Sequence, residues 1–313
     1  MNIQPMPIQE STIRKAYFLE KYVIITPGRA QRPRDIKEET IIKRSPNCPF
    51  CPENINQDNV VDKIDGPRGH WRVLALNNIF PVVSLDNPRA YGCQEVIVET
   101  PEHNCDLAHL SLLNINNLLA MYVRRTKALM ANRKLEYILC LKNQGSKAGA
   151  TIAHAHSQIF ATDFLPPDIK EELKRARHYR RQQERCPYCD IIRRETNSPR
   201  KIFADKYIAA IAPYASEFHY EAWLFTRRHI DNITNLNQNE LHSLAFILKN
   251  ILVKINKLGL SFNFFLHQVV SEPDQHFYLK IQPRDNIWAG VELGSGLIIN
   301  SVPPEQAAEY YRL

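Results

Sequence analysis

One order of cysteines, strands, helix and histidines is written twice along this chain, and any fold must accommodate both copies. The first copy opens with Cys-Pro-Phe-Cys (Cys48, Cys51) and runs through strand-like stretches to His103. It continues into a long amphipathic segment, 107–133, and after a further strand reaches His154. The second opens with Cys-Pro-Tyr-Cys (Cys186, Cys189), reaches His229, continues through an amphipathic segment at 239–259 and ends at His276. The separations correspond, and Glu95 and Glu221 stand equally far before His103 and His229. Offsets kept over so long a stretch indicate an internal duplication. In each copy the long segment carries apolar residues at i, i+3, i+4 and i+7, as an amphipathic helix does, while the short apolar runs read as strands. The expected fold is α+β: a duplicated unit of two antiparallel-sheet halves, each with one long helix and a Cys/His metal site. The expected division is an N-terminal arm (1–47), an N-terminal half (48–173), a basic linker (174–185) and a C-terminal half (186–313). The arm is rich in proline and charge and reads as irregular.

Zinc commonly takes two thiolates from one Cys-x-x-Cys and two imidazoles from elsewhere, arranged as a tetrahedron. The chain offers such a set twice: Cys48, Cys51, His103 and His154, then Cys186, Cys189, His229 and His276. The expectation is one or two zinc ions per chain. A redox dithiol would open a helix after the first strand of a βαβ unit, and no such unit precedes either pair. The remaining cysteines, Cys93, Cys105 and Cys140, fall in no pattern. Of the histidines outside the two sets, His219 is the least easily dismissed, because it lies close before His229.

Composition narrows the class further. At 313 residues, 44% hydrophobic and 23% charged, the chain can bury a sizeable core. No stretch has the apolar length of a membrane span, and the polar start lacks the core of a secretory leader. With few cysteines, this points to the cytoplasm and to no membrane partner. The net charge of +7 favours an anionic partner. Much of the excess lies in KRARHYRRQQER (174–185), which reads as a solvated linker or helix; nucleic-acid binding would need interleaved aromatics or a known module. A zinc-stabilised basic RNA-binding protein is the alternative from another class.

The two copies differ at one place. With His154 set on His276, His156 falls opposite Tyr278 and Gln158 opposite Lys280, and the loop NQGSKAGAT has no counterpart. Asn143, Gly145, Gly149, Thr151, His156 and Gln158 therefore belong to the first copy alone. On a strand His154, His156 and Gln158 share a face. A glycine-bearing turn before it can bring backbone N–H groups to an anion, with Asn143 and Thr151 as further donors. Neutral imidazole is a competent nucleophile toward phosphorus, and Gln158 can donate to a non-bridging oxygen. The bland reading, two metal histidines and a spectator glutamine, leaves the loop unexplained.

At these residues the sequence resembles the galactose-1-phosphate uridylyltransferase family of the histidine-triad superfamily. The family's Asn-x-Gly…Gly-x-Ser/Thr…His-x-His-x-Gln segment is matched by Asn143, Gly145, Gly149, Thr151, His154, His156 and Gln158. Its histidine after Ser-Pro-x is matched by Thr-Pro-Glu-His ending at His103. The resemblance implies a ping-pong nucleotidyltransferase. His156 attacks the α-phosphorus of a nucleoside diphosphate sugar, sugar 1-phosphate leaves, and a second phosphate-bearing acceptor takes the nucleotide. It further implies Asn77 on the nucleobase side, Glu292 in a hexose-binding Gly-x-Glu segment, and a homodimer. The family has proline between the two histidines where this chain has Ala155, and Asn-Asp-Phe on the uracil side where this chain has Asn77-Asn78-Ile79. In both respects, and in KNQGSKAGAT and the complete second Cys/His set, the chain is similar to the plant-type branch. That branch includes an ADP-glucose phosphorylase, which transfers adenylyl to inorganic phosphate. The expected activity is UDP-glucose:hexose-1-phosphate uridylyltransferase-like, with ADP-glucose phosphorylase as the alternative.

Overall fold

The computed structural model describes residues 11–28, 47–103 and 105–312. Two short strands lie in the N-terminal arm, β1 (Thr12–Lys15) and β2 (Tyr22–Ile25). The first half then supplies β3 (Val60–Asp65), β4 (Trp71–Asn77), β5 (Gly92–Val98), helix α1 (Leu112–Met130), β6 (Tyr137–Gln144) and β7 (His156–Thr162). Helices α2 (Pro167–Gln183) and α3 (Pro187–Glu195) lead into the second half. There β8 (Lys201–Ala204), β9 (Ile208–Ile211), β10 (Ala222–Thr226), helix α4 (Gln238–Lys257), β11 (Phe262–His267) and β12 (Tyr278–Pro283) repeat the order. The chain closes with α5 (Gly290–Ser295), β13 (Ile298–Asn300) and α6 (Pro304–Tyr311). No helix among the described residues is long and apolar enough to cross a membrane.

The halves do not keep separate sheets, as the sequence led us to expect. They share one ten-stranded sheet in the order β3-β4-β5-β7-β6-β11-β12-β10-β9-β8. Read inward from either edge the two halves have the same strand order, so the duplication is written into the topology. The join is the antiparallel pair β6–β11, with Asn143 opposite Asn263 and Leu141 opposite Phe265. Leaving either strand as an edge would expose a row of unpaired backbone groups, and pairing the copies removes both edges at once. The arm also departs from expectation. Its two strands pair with each other and, through β2, with β13 at the far end of the chain. Residues 29–46 of the arm lie outside the described residues. Most of the expected basic linker, 174–183, is the second part of α2.

Helices α1 and α4 pack against one another on one side of the sheet. Ser111 caps α1 through the Asn114 amide, and Asn237 and Glu240 form a reciprocal capping box on α4. Their apolar stripes, including Leu118, Tyr122, Leu244, Leu248 and Ile251, are fully buried with Ile97, Ile159, Leu224 and Leu279 from the strands. On β7 the alternation follows from this. Ser157 turns inward, where the Tyr122 hydroxyl donates to its Oγ at 2.7 Å, so His156 and Gln158 point to the opposite face.

Register also corrects one apparent correspondence. Glu95 stands opposite Ile159, whereas Ala222 stands opposite Ile281, the counterpart of Ile159. Glu221 is thus one residue out of step with Glu95. Glu95 makes a bidentate pair with Arg125 of α1 (2.7 and 2.8 Å). Glu221 instead receives Trp223 Nε1 at 2.7 Å and the Glu217 amide at 2.8 Å.

Candidate functional site

Each half brings its four cysteines and histidines together, with all donor atoms of a set within 4.8 Å of one another. In the first, His154 Nε2–H donates to the Thr100 carbonyl at 2.8 Å, which leaves Nδ1 facing Cys48 and Cys51, 3.7 Å from each sulfur. His103 Nδ1 is 3.3 Å from Cys51 Sγ. The second set repeats the device. His276 Nε2–H donates to the Thr226 carbonyl at 2.8 Å, and Nδ1 of His276 and His229 lie 3.7 and 3.8 Å from Cys189 Sγ. Metal–sulfur bonds near 2.3 Å and metal–nitrogen bonds near 2.0 Å give tetrahedron edges of about 3.3–3.8 Å, so both sets fit a tetrahedral ion. Holding the distal ring nitrogen on a carbonyl fixes tautomer and ring orientation before any metal arrives.

The sequence-predicted residues converge unevenly. A cleft of about 480 Å³ is lined by Asn143, Gly145, Thr151, His154 and His156, together with Cys48 and His103 of the metal set. Gly145 and Gly149 take φ of +82° and +85°, the left-handed region where a side chain is strained. A Cβ on Gly145 would also lie 2.3 Å from Ser261 Oγ. His154 stands just before β7 and turns to the thiols, while His156 opens the strand. Gln158 follows on the same face, where its Oε1 accepts from Gln94 Nε2 at 2.8 Å. Gly149 and Gln158 adjoin the cleft without lining it, and two further residues lie away from it. Asn77 is exposed at the end of β4, two strands from β7. Glu292 is buried and accepts the Ala289 amide at 2.9 Å at the start of its own helix.

His156 is held in one tautomer by its own backbone. Nδ1–H donates to the His154 carbonyl at 2.8 Å, so the Nε2 lone pair is the free one. Burial pushes its pKa down to about 4, and the nearby Lys142 ammonium adds to the shift, so the ring is neutral at pH 7. The Phe50 ring lies 5.0 Å from the imidazole, centroid to centroid.

Several supporting residues were not singled out from sequence. Lys142 of β6, whose side chain is fully buried, donates to Glu99 Oε2 at 2.7 Å and to the His156 carbonyl at 3.1 Å. Asn263 reaches across from the second half and donates to Asn143 Oδ1 (2.7 Å) and the Ala148 carbonyl (2.8 Å), bracing the glycine loop. A lysine inside the apolar run LEYILCLK was a usable signal, since an isolated buried charge needs a partner. Nothing in sequence marks Asn263, whose role depends on which strand β6 pairs with. His219 is in neither metal set. It bridges Asp285 (2.7 Å) and the Ser301 amide and hydroxyl (3.1 and 2.9 Å), tying β13 to the segment after β12.

Comparison with known proteins agrees with this layout. Residues 74–166 match the model of the galactose-1-phosphate uridyl transferase N-terminal domain. The chain is 27% identical to ADP-glucose phosphorylase of Arabidopsis thaliana, over 97% of this chain and 93% of that protein. It is also 27% identical to galactose-1-phosphate uridylyltransferase of Thermotoga maritima, over 94% and 95%. The crystal structure of an Arabidopsis thaliana ADP-glucose phosphorylase with bound ADP-glucose superimposes with a TM-score of 0.85 at 26% identity, covering 97% of this chain and 98% of that one. In motif, in sequence over nearly its whole length and in fold, the chain is a relative of the galactose-1-phosphate uridylyltransferases and of ADP-glucose phosphorylase.

Proposed function

We propose that this protein is a nucleotidyltransferase that acts on a nucleoside diphosphate sugar through a covalent nucleotidyl-His156. The observation that carries the reading is the free Nε2 of a neutral His156, its other nitrogen held by the His154 carbonyl, beside a cleft edged by the glycine loop. In the first step Nε2 forms a bond to the α-phosphorus as the α–β bridging P–O bond breaks, and the electron pair leaves with sugar 1-phosphate. The ring becomes cationic without losing its Nδ1 proton, which stays on the His154 carbonyl and stabilises that charge. In the second step an oxygen of the acceptor phosphate attacks, the P–N bond breaks, and its pair returns to the imidazole. A phosphate acceptor is largely dianionic near pH 7, so no general base is required. Asn143, Gly145, Gly149 and Thr151 bind the phosphoryl oxygens, and Gln158 donates to one of them. Asn77 and Glu292 would need contacts beyond those of the described chain to reach substrate, and the homodimer implied by the family resemblance is where we look for them.

Both four-donor sets suit zinc, and a bound ion would supply a fixed tetrahedral anchor. His154, as ligand and as the carbonyl that holds His156, would then set the nucleophile's position. The basic helix lends no support to RNA binding. Its Arg175, Arg177 and Arg180, and Arg185 just beyond it, pair with Glu171, Glu272, Asp274 and Asp190 of the same chain. We assign the protein to the cytoplasm.

The family model favours uridylyl transfer between hexose 1-phosphates. Adenylyl transfer to inorganic phosphate is the second reading, favoured by the higher structural similarity to ADP-glucose phosphorylase (TM-score 0.85) than to a uridylyltransferase (0.75). Intact-mass measurement after incubation with UDP-glucose or ADP-glucose decides between them. A uridylyl or adenylyl adduct that is absent in His156→Ala names the base and the nucleophile. The acceptor that discharges it, galactose 1-phosphate or inorganic phosphate, names the reaction. Fully zinc-loaded protein that takes up neither nucleotide sinks the covalent mechanism.

A further inference from the structure

The amide of Gln158 can face either way by a half-turn about its last bond, and only one way presents a donor to a phosphoryl oxygen. A short hydrogen-bond relay decides which. The Val82 backbone N–H, which can only donate, lies 3.1 Å from Gln94 Oε1. That contact fixes the Gln94 amide with its NH2 pointing away from Val82. Gln94 Nε2 is then 2.8 Å from the Gln158 side chain, and an NH2 group requires an acceptor there, so Gln158 must offer Oε1. Its own NH2 is left pointing away, with no hydrogen-bond partner among the described residues. Gln158 shares its face of β7 with His156, two residues earlier. Gln94 is held by β5, with Val96 opposite Gln158 in the register, so the relay rests on two paired strands of a continuous sheet.

We propose that Gln94 is a positioning residue for nucleotidyl transfer: through the Val82 amide it locks Gln158 with its NH2 turned toward the non-bridging oxygens of the phosphoryl group that His156 receives. This rests on the reaction proposed above. Gln94 itself touches no reacting atom. Its effect is to exclude the flipped amide, which would set Gln158 Oε1 against anionic oxygens.

Gln94→Glu tests the relay directly. One carboxylate oxygen still accepts the Val82 amide, but the other now demands a donor, so Gln158 turns its NH2 inward and its oxygen toward the phosphoryl group. The single-turnover rate of His156 nucleotidylation, followed by intact mass, is expected to fall about 100-fold, as when a transition-state donor is removed. Apparent substrate affinity and melting temperature should stay near wild type. Gln94→Met, which removes the relay without adding charge, is expected to lose less, about 5–10-fold, since Gln158 then samples both orientations. Because Gln94 acts through Gln158, neither change should alter the rate further in a Gln158→Ala background. Wild-type rates in both variants, or the same loss with and without Gln158, overturn the proposal while leaving the covalent mechanism intact. Failure of the wild-type protein to form any adduct removes the reaction itself.

Discussion

The two halves are built on the same plan up to a point and then diverge. Both fold a Cys-x-x-Cys against two histidines, and in both the second histidine is pinned by a threonine carbonyl, Thr100 or Thr226, at 2.8 Å. Beyond that point the first half opens into a cleft at His156, whereas the second is filled. Tyr278, standing where His156 stands in the first half, is fully buried, and its hydroxyl and that of Tyr188 both donate to Glu172 Oε1 at 3.0 Å. Glu172 comes from α2, and Phe18 from the N-terminal arm packs its ring 4.5 Å from Tyr188. Lys280, in the position of Gln158, lies over the Trp223 ring at 4.5 Å. The duplicated fold thus separates two tasks. The Cys/His set is a device common to both halves, and the proposed nucleophile is an addition to one of them, with the other's equivalent space closed by elements inserted between and before the repeats.

The largest effects should come from breaking the shared part. His154→Ala and His276→Ala should each remove one of two zinc equivalents, measured by atomic emission. Each should cost at least about 3 kcal/mol, a fraction of the roughly 10–16 kcal/mol that structural zinc contributes. Only His154→Ala should abolish the nucleotidyl adduct in the protein that remains folded. Loss of the adduct in folded His276→Ala protein would mean that the halves are not separable. A loss of similar size in stability follows from the ion pair beneath the proposed nucleophile. Lys142→Met leaves Glu99 buried and unpaired, and should cost about 3–5 kcal/mol in chemical denaturation. Adding Glu99→Leu should recover most of that stability, yet the rate of adduct formation should stay low, because the His156 carbonyl still lacks its ammonium.

The closed half offers the smallest test. Burial alone would raise the Glu172 carboxyl, but His267, 3.3 Å away, and the Tyr278 hydroxyl outweigh it and hold the pKa down to about 2. Burial keeps His267 toward its neutral form, and its Nε2–H can donate to Glu172. A carboxyl lowered on folding stabilises the protein above its unfolded pKa of about 4.5 and loses that contribution as pH falls toward 2. Glu172→Gln should therefore cost about 1–3 kcal/mol near neutral pH and flatten the decline of the melting temperature between pH 4.5 and 2. Adduct formation should be unchanged. A matching loss of rate would show that the closed half still acts on the open one.

How much of this was legible in the residues follows their chemistry. Cysteine and histidine have few roles, so two matched sets at matched spacing named both four-donor clusters, and the difference between copies pointed to His156 and Gln158. Glycines at 145 and 149 were legible because positive φ is costly for other residues. Asn77 and Glu292, carried by resemblance alone, do not reach the cleft within the described chain. Gln94, Asn263 and Lys142 are ordinary polar residues on strands, and spacing along one strand says nothing about its neighbour. Their parts depend on register, which joins residues far apart in sequence.

Taken alone, the sequence determined the duplication, the members of each Cys/His cluster, the amphipathic helices and the asymmetry that singles out one histidine. All of these are local or periodic properties, carried by residue type and offset. Tertiary structure alone decided that the two halves share a single sheet, since two open edges, β6 and β11, satisfy their backbone groups by pairing with each other. That pairing brings Asn263 and Ser261 of one half against the glycine loop of the other. It also decided that Glu172 and Phe18 close the second site. Burying apolar and polar surface there depends on where α2 and the arm can reach once the sheet is assembled, and no spacing along the chain encodes that distance.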